Sequence, residues 1–163
     1  MERYVMTNVE FVETVPDDIE KEMRNDLIEY ESSHGVDVNY RAFSLVLKHE
    51  NGDAIGVLNA FTAYAEIYID DMWIHSKYRK QGYGKKLISE LENKFTGKGF
   101  NNINLCTSDF NAPKFYEKCG FIVEFTRVNR INPKLTKTFF VKYFNENEQT
   151  QGIISPAPRT HLD

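Results

Sequence analysis

Apolar residues recur along this chain with two different periods, and the changes of period divide it into elements. From Tyr40 to His49 they alternate, with Phe43, Leu45 and Leu47 on one side, the period of a strand with one buried face. Asn51-Gly52 follows, a pair that favours the positive φ values of a tight hairpin. Ala54 to Tyr64 reads as the return strand and Glu66 to Ile74 as a third. The period then lengthens. Leu87, Ile88, Leu91 and Phe95 fall at helical spacing, which predicts a helix over Gln81 to Phe95, closed by Gly97 and Gly99. Upstream, Pro16-Asp17-Asp18 suits a helix start, because acids favour the positive end of the macrodipole. That helix is expected to reach Ser33, with Ile19, Met23, Leu27 and Tyr30 on one face and Gly35 ending it. Tyr4 to Val12 is β-prone and is expected to form an opening strand. Asn102 to Cys106 reads as a buried strand and Asn111 to Lys118 as a short helix. Phe121 to Val128 and Thr136 to Phe144 read as an antiparallel pair about a turn at Asn132-Pro133. The expected order is β-α-β-β-β-α-β-α-β-β, a mixed α/β arrangement. Beyond Asn145 the chain is polar and aperiodic, so residues 1–145 are expected to form one domain and residues 146–163 a tail.

Composition narrows the class. At 163 residues, 41% hydrophobic and 13% aromatic, the chain suits one globular domain with a core. No apolar run is long enough for a membrane span. Met1 to Met6 lacks the apolar stretch of a secretory leader, so the cytoplasm is the expected compartment. Cys106 and Cys119 make neither a disulfide framework nor a metal motif. No His, Cys, Asp or Glu cluster shows ligand spacing, and no metal is expected. The net charge of −4 and a pI near 5.6 argue against nucleic acid. The charge is uneven, however. Between Lys77 and Lys98 stand seven cations and only two acids, Glu90 and Glu92. A basic island in an acidic chain suits a small polyanion.

The island contains Arg79-Lys80-Gln81-Gly82-Tyr83-Gly84-Lys85, between the third strand and the helix after it. A glycine-bearing turn at a helix N-terminus presents unpaired backbone N–H groups and the positive end of a dipole, so an anion is expected there. Two nucleotide motifs are excluded. A P-loop would need glycine at Arg79 and Ser or Thr at Lys86; a dinucleotide fingerprint would need glycine at Leu87. What remains, Arg79-x-x-Gly82-x-Gly84, resembles the pyrophosphate-binding signature of the GCN5-related N-acetyltransferase (GNAT) superfamily. A second stretch, Asn111-Ala112-Pro113-Lys114-Phe115-Tyr116-Glu117-Lys118-Cys119-Gly120-Phe121, is similar to the superfamily's late helix and the strand after it. The two motifs stand in the superfamily's order and separation.

The resemblance implies the acyl-coenzyme A N-acyltransferase fold, a mixed and mostly antiparallel sheet flanked by helices. It implies an acetyl-CoA-dependent N-acetyltransferase akin to small bacterial acetyltransferases with unassigned acceptors. Acetyl-CoA would be co-substrate to an amine acceptor. Its pyrophosphate would lie on Arg79, Lys80, Gln81, Gly82, Tyr83, Gly84 and Lys85. The backbone of Met72 and Ile74 would meet the pantetheine arm, and Asn111 would lie near the coenzyme. The asparagine common seven residues before the tyrosine is Asp109 here. Tyr116 occupies the position of the superfamily's thiolate-protonating tyrosine, and a phenol, neutral at pH 7, suits that role.

An alkyl amine, with a pKa of about 10.4, must lose a proton before it attacks. Asp70 and Asp71 interrupt an apolar strand, where carboxylates are costly without partners or work. On a regular strand Asp70 would share its face with Tyr68, Met72 and Ile74, and Asp71 with Ile69 and Trp73. Asp70 is the expected base or amine anchor, with Asp71, His75 and water as alternatives. Tyr30, Tyr40, Tyr64 and Tyr68 would serve either an acceptor pocket or the core. Cys106 and Cys119 read as small core residues. Three functions stay open: transfer to a small primary amine by direct attack in a ternary complex, transfer to protein lysines or N-termini, and a non-catalytic acyl-CoA-binding module. A homodimer is allowed but not required.

Overall fold

The computed structural model describes residues 7–144. Two compact units make up the chain, one ending at Val38 and the other beginning at Asn39.

The first unit holds one helix, α1 (Asp17–Ser33). Pro16 caps it, and Asp17, Asp18 and Glu20 occupy its first turn, where their charge complements the free N–H groups. Arg24 pairs with Glu20 one turn away at 2.7 Å, an exposed contact worth only about 0.3–0.5 kcal/mol. Gly35 takes φ +72° and ends the helix. Ile19, Met23, Leu27 and Tyr30 are all exposed, as is Val9. The expected opening strand does not form within residues 7–12; Tyr4 to Met6 lie outside the described residues. A strand needs a ladder partner, and β-propensity supplies none.

The second unit is built on one six-stranded sheet. Its strands are β1 (Arg41–Lys48), β2 (Ala54–Ala63), β3 (Glu66–Ile74), β4 (Asn102–Ser108), β5 (Ile122–Arg127) and β6 (Lys137–Tyr143). The helices are α2 (Tyr83–Phe95) and α3 (Pro113–Lys118). The sheet order is β1-β2-β3-β4-β6-β5. Every pair is antiparallel except β3 with β4, whose connection carries α2, as a parallel crossover requires. The GNAT fold expected from the motifs is the fold observed. At the first hairpin Gly52 takes φ +91°, and Asn51 accepts the Asp53 N–H at 3.1 Å.

The core lies between the sheet and α2. Leu58, Ile67, Ile69, Ile103, Leu105 and Phe140 meet Leu87, Ile88 and Leu91 there. Phe43, Leu45 and Leu47 pack against its edge, so the alternation read in β1 reports a true inner face.

The alternation read in β3 does not hold. Asn59 of β2 pairs with Asp71, and Ala60 pairs with Ile69. Asp70 is therefore an extra residue, a β-bulge, and the side-chain parity inverts across it. Ile67 and Ile69 belong to the core before the bulge, and Met72 and Ile74 pack against it after. The expected common face of Tyr68, Met72 and Ile74 is thus split. An inserted residue leaves no trace in a period-2 pattern of so few positions.

Phe140 has no exposed surface, and its ring lies 5.8 Å from that of Tyr116. Phe140→Ala is expected to cost about 3–5 kcal/mol. Urea unfolding should show a lowered midpoint with an unchanged slope.

Candidate active site

The parallel pair creates the site by ending early. β3 and β4 are in register only from Glu66 opposite Asn102 to Ile69 opposite Leu105. β3 then continues to Ile74 and β4 to Ser108 without pairing each other. The bulge at Asp70 falls where they part. A cavity of about 830 Å3 occupies the opening, walled by both strand ends, the turn before α2, and α3 with the loop leading into it.

The turn before α2 is set by backbone geometry. Arg79 Nε donates to the Ile74 carbonyl at 3.0 Å, tying the turn to the end of β3. Lys80 and Gly82 take φ +61° and +86°, and Gly82 caps the helix, its carbonyl accepting the Lys86 N–H at 3.0 Å. A left-handed lysine costs roughly 1 kcal/mol or more. The two glycines serve different ends. A Cβ at Gly82 would meet nothing within 4 Å, so its conformation is what calls for glycine. A Cβ at Gly84 would sit 3.0 Å from the Phe115 ring. Gly84 is therefore the seat on which α3 packs against α2, a role the sequence did not disclose.

The loop before α3 is equally constrained. Asn111 N–H donates to the Ser108 carbonyl at 2.8 Å, and Thr107 Oγ1 donates to the Asn111 carbonyl at 3.0 Å. Ala112 takes φ +30° immediately before Pro113. Two non-glycine residues in the left-handed region, Lys80 and Ala112, thus flank one cavity.

Tyr116 stands in the cavity wall among the rings of Phe115, Phe121 and Phe140. Burial raises its phenol above the ordinary value of 10.0, with Cys119 adding to the shift. It is a protonated donor throughout the neutral range. Tyr68 lines the same cavity. Its phenol is raised by burial first, then by Cys106 and Asp70, against a hydrogen bond from the Cys106 backbone that pulls it down.

Of the residues singled out in the sequence, Asp70, Met72, Ile74, Arg79, Lys80, Gly82, Tyr83, Gly84, Lys85, Asn111 and Tyr116 all line this cavity. Gln81 does not; its side chain donates to the Lys77 carbonyl at 3.1 Å and braces the turn. His75 does not line it either, and its Nδ1 accepts the Lys77 N–H at 3.3 Å. Asp71 and Trp73 join the wall, as do Cys106, Ser108, Phe110 and Lys137. Cys106, expected in the core, is half-buried and borders the cavity because β4 has lost its β3 neighbour at that level. Cys119 is buried, as expected. Tyr40 and Tyr64 are exposed, with Tyr40 lying against Phe61 at 5.6 Å and Phe61 against Tyr68 at 5.2 Å.

Charge divides the cavity. Arg79, Lys80 and Lys85 stand at the α2 turn, and Asp70 and Asp71 on the β3 lip. Neither aspartate forms an ion pair or a side-chain hydrogen bond among the described residues. Also among the described residues, no group of three His, Cys, Asp or Glu could hold a metal ion, and no helix is long and apolar enough to cross a membrane.

Comparison with known proteins agrees with this geometry. Residues 7–121, more than half of the chain, match the model of the acetyltransferase (GNAT) family. A crystal structure of an acetyltransferase from Bacillus cereus superposes with a TM-score of 0.67 at 28% identity, over 83% of this chain and 98% of that one. A candidate streptothricin acetyltransferase from Bacillus anthracis, in complex with acetyl coenzyme A, superposes with a TM-score of 0.56 at 26% identity, over 66% of this chain and 64% of that one. An acetyltransferase of Agrobacterium fabrum is 23% identical over 114 residues, 70% of this chain and 80% of its own. A sheet parted between β3 and β4, with a cationic helix turn at the opening, is thus the form this chain gives to a known design: it belongs to the acetyltransferase (GNAT) family and is an acetyl-CoA-dependent acetyltransferase.

Proposed function

We propose that the chain transfers the acetyl group of acetyl-CoA to a cationic primary amine by direct attack in a ternary complex. The observation that carries this reading is the charge division of the cavity. The α2 turn offers a polyanion the Arg79, Lys80 and Lys85 side chains together with free N–H groups at a helix start. The β3 lip offers a cation two carboxylates that form no ion pair among the described residues. The relative from Bacillus anthracis, crystallised with acetyl coenzyme A, supports the nature of the polyanion.

The chemistry follows from what each wall supplies. Beyond Ile69 the edge of β3 does not pair with β4, so the backbone groups of Met72 and the N–H of Ile74 can pair with the amides of the pantetheine arm, while the Ile74 carbonyl already accepts from Arg79. Asp70 anchors the ammonium and accepts a proton from it, directly or through water. The amine nitrogen then bonds to the thioester carbonyl carbon, and the carbon–sulfur bond breaks. The thiolate takes the proton of the Tyr116 phenol, which regains one from the solvent-connected cavity. The amide nitrogen sheds its remaining excess proton to solvent. The apolar rings around Tyr116 keep the phenol neutral until a thiolate forms beside it. No cysteine nucleophile is needed. Cys119 is buried with its thiol raised chiefly by that burial, and Cys106 has no histidine beside it in the cavity wall.

Gly82→Val is expected to abolish acetyl-CoA binding, measured by calorimetry, because valine does not adopt φ +86° and the turn must rearrange. Undiminished affinity would remove the pyrophosphate from this turn.

Asp70→Asn is expected to raise KM for the amine while leaving acetyl-CoA affinity near the parent's. A panel of polyamines, aminoglycosides, amino acids and lysine peptides, read by thiol release, identifies the acceptor. The absence of turnover with every class would point to a binding module instead.

Tyr116→Phe keeps the ring and removes the proton, so single-turnover transfer should fall by about 10²–10⁴-fold with coenzyme affinity unchanged. Because burial raises the phenol above 10.0, the parent should lose this contribution only as pH climbs past that value. The same shift acts on stability. The folded state holds the proton more tightly than the unfolded one, so stability is intact below pH 10 and falls as pH rises further. That alkaline loss should be reduced in Tyr116→Phe. Equal single-turnover rates in the two proteins across pH would make the tyrosine structural.

A further inference from the structure

We propose that Lys142 is a positioning residue that locks α3, and with it Tyr116, to the donor-binding helix α2. Lys142 lies on β6, outside the cavity and outside both sequence motifs. Its ammonium donates to the Cys119 carbonyl at 2.8 Å and forms an ion pair with Glu92 of α2. Both charged side chains are largely withdrawn from solvent, at 29% and 23% exposure, so neither partner is a loosely solvated surface group. The ammonium also lies 5.9 Å from the Phe121 ring. Gly120, at φ +88°, passes beneath it, and a Cβ there would come within 3.3 Å of Nζ. The chain thus makes room for this one cation at the end of α3.

The Cys119 carbonyl belongs to a tight hydrogen-bonded knot. Cys119 N–H donates to the carbonyls of Phe115 and Tyr116, and Phe121 N–H donates to that of Tyr116. The lysine therefore holds the turn that fixes the Tyr116 backbone. A helix of six residues has little stability of its own, so its orientation must come from outside. It is attached to α2 at two places: Phe115 on Gly84 near one end, and Cys119 through Lys142 to Glu92 near the other. On α2 the two points, Gly84 and Glu92, are eight residues apart, about 12 Å at 1.5 Å per residue. One attachment would leave a pivot, whereas two fix the angle at which Tyr116 meets the cavity. In its effect on turnover this inference rests on the proposed role of Tyr116; in its effect on the end of α3 it does not.

The test uses Lys142→Met, which removes the charge and keeps the aliphatic stem, with Lys142→Arg and Glu92→Gln beside it. Folding at the assay temperature is verified by circular dichroism and melting. Acetyl-CoA affinity by calorimetry should stay near the parent's. Single-turnover transfer should fall about tenfold or more, the scale set by small misplacements of reacting groups. Amide hydrogen exchange at Cys119, Gly120 and Phe121, whose N–H groups are all hydrogen-bonded at the end of α3, should become faster as that end loosens. Lys142→Arg should restore both the transfer rate and the protection, and Glu92→Gln should lower both. If Lys142→Met does not fold, Glu92→Gln carries the comparison. A folded variant that keeps the parent's protection at these amides overturns the proposal. So does one that keeps the parent's transfer rate while Tyr116→Phe is slow. Should Tyr116→Phe itself prove as fast as the parent, the proton-donor reading fails, and amide exchange alone decides the lock.

Discussion

The site depends on a ladder that stops. Four residue pairs join β3 to β4, and the ladder ends where the bulge at Asp70 begins. In a continuous sheet every inner backbone group would be spent on a neighbouring strand. Here the released edge, the cavity and the exposed aspartates all arise from that interruption. The core covers its cost from elsewhere. Leu58, Ile67, Ile103 and Phe140, across both halves of the sheet, and Leu91 of α2 are essentially without exposed surface.

A parted sheet needs its two halves held at a fixed separation. α2 does this from the core side, since Leu87, Ile88 and Leu91 share one buried cluster with residues of β2, β3, β4 and β6. The short α3 adds a wall but no independent strength. Its placement relies on the close approach of Phe115 to Gly84 and on the Lys142 bridge to Glu92. The β3 lip has a different character. Tyr40, Phe61 and Tyr68 form a connected aromatic row beside the strand that carries Asp70.

Much of this was legible beforehand because it is local. Alternation in β1, the Asn51-Gly52 turn and the helical spacing of Leu87, Ile88 and Leu91 each follow from a few neighbouring residues. The glycine turn and the Phe115-Tyr116 stretch were legible as motifs, and they pointed to the residues that the fold gathers around one cavity. What escaped was set by tertiary context. The bulge inverted the faces expected for Met72 and Ile74. Cys106 looked like core because β4 is apolar, yet its neighbour strand departs at that level. The reason for Gly84 lies in Phe115, a residue from another element. Gln81 sat inside a motif and yet is spent on the Lys77 carbonyl, outside the cavity lining. The strand expected around Val9 had propensity without a partner.

The parallel pair also bears on the order of assembly. β1, β2 and β3 form a meander of short hairpins, whose contacts close small loops and form quickly. β3 and β4 meet only after α2 has been folded back between them, and β4 is further secured by β6, from beyond α3 and β5. Loop closure makes such distant pairings slow. The two lips of the cavity thus come from the early and the late parts of the fold. A molecule that bridges them ties together the segments whose association is entropically hardest to achieve.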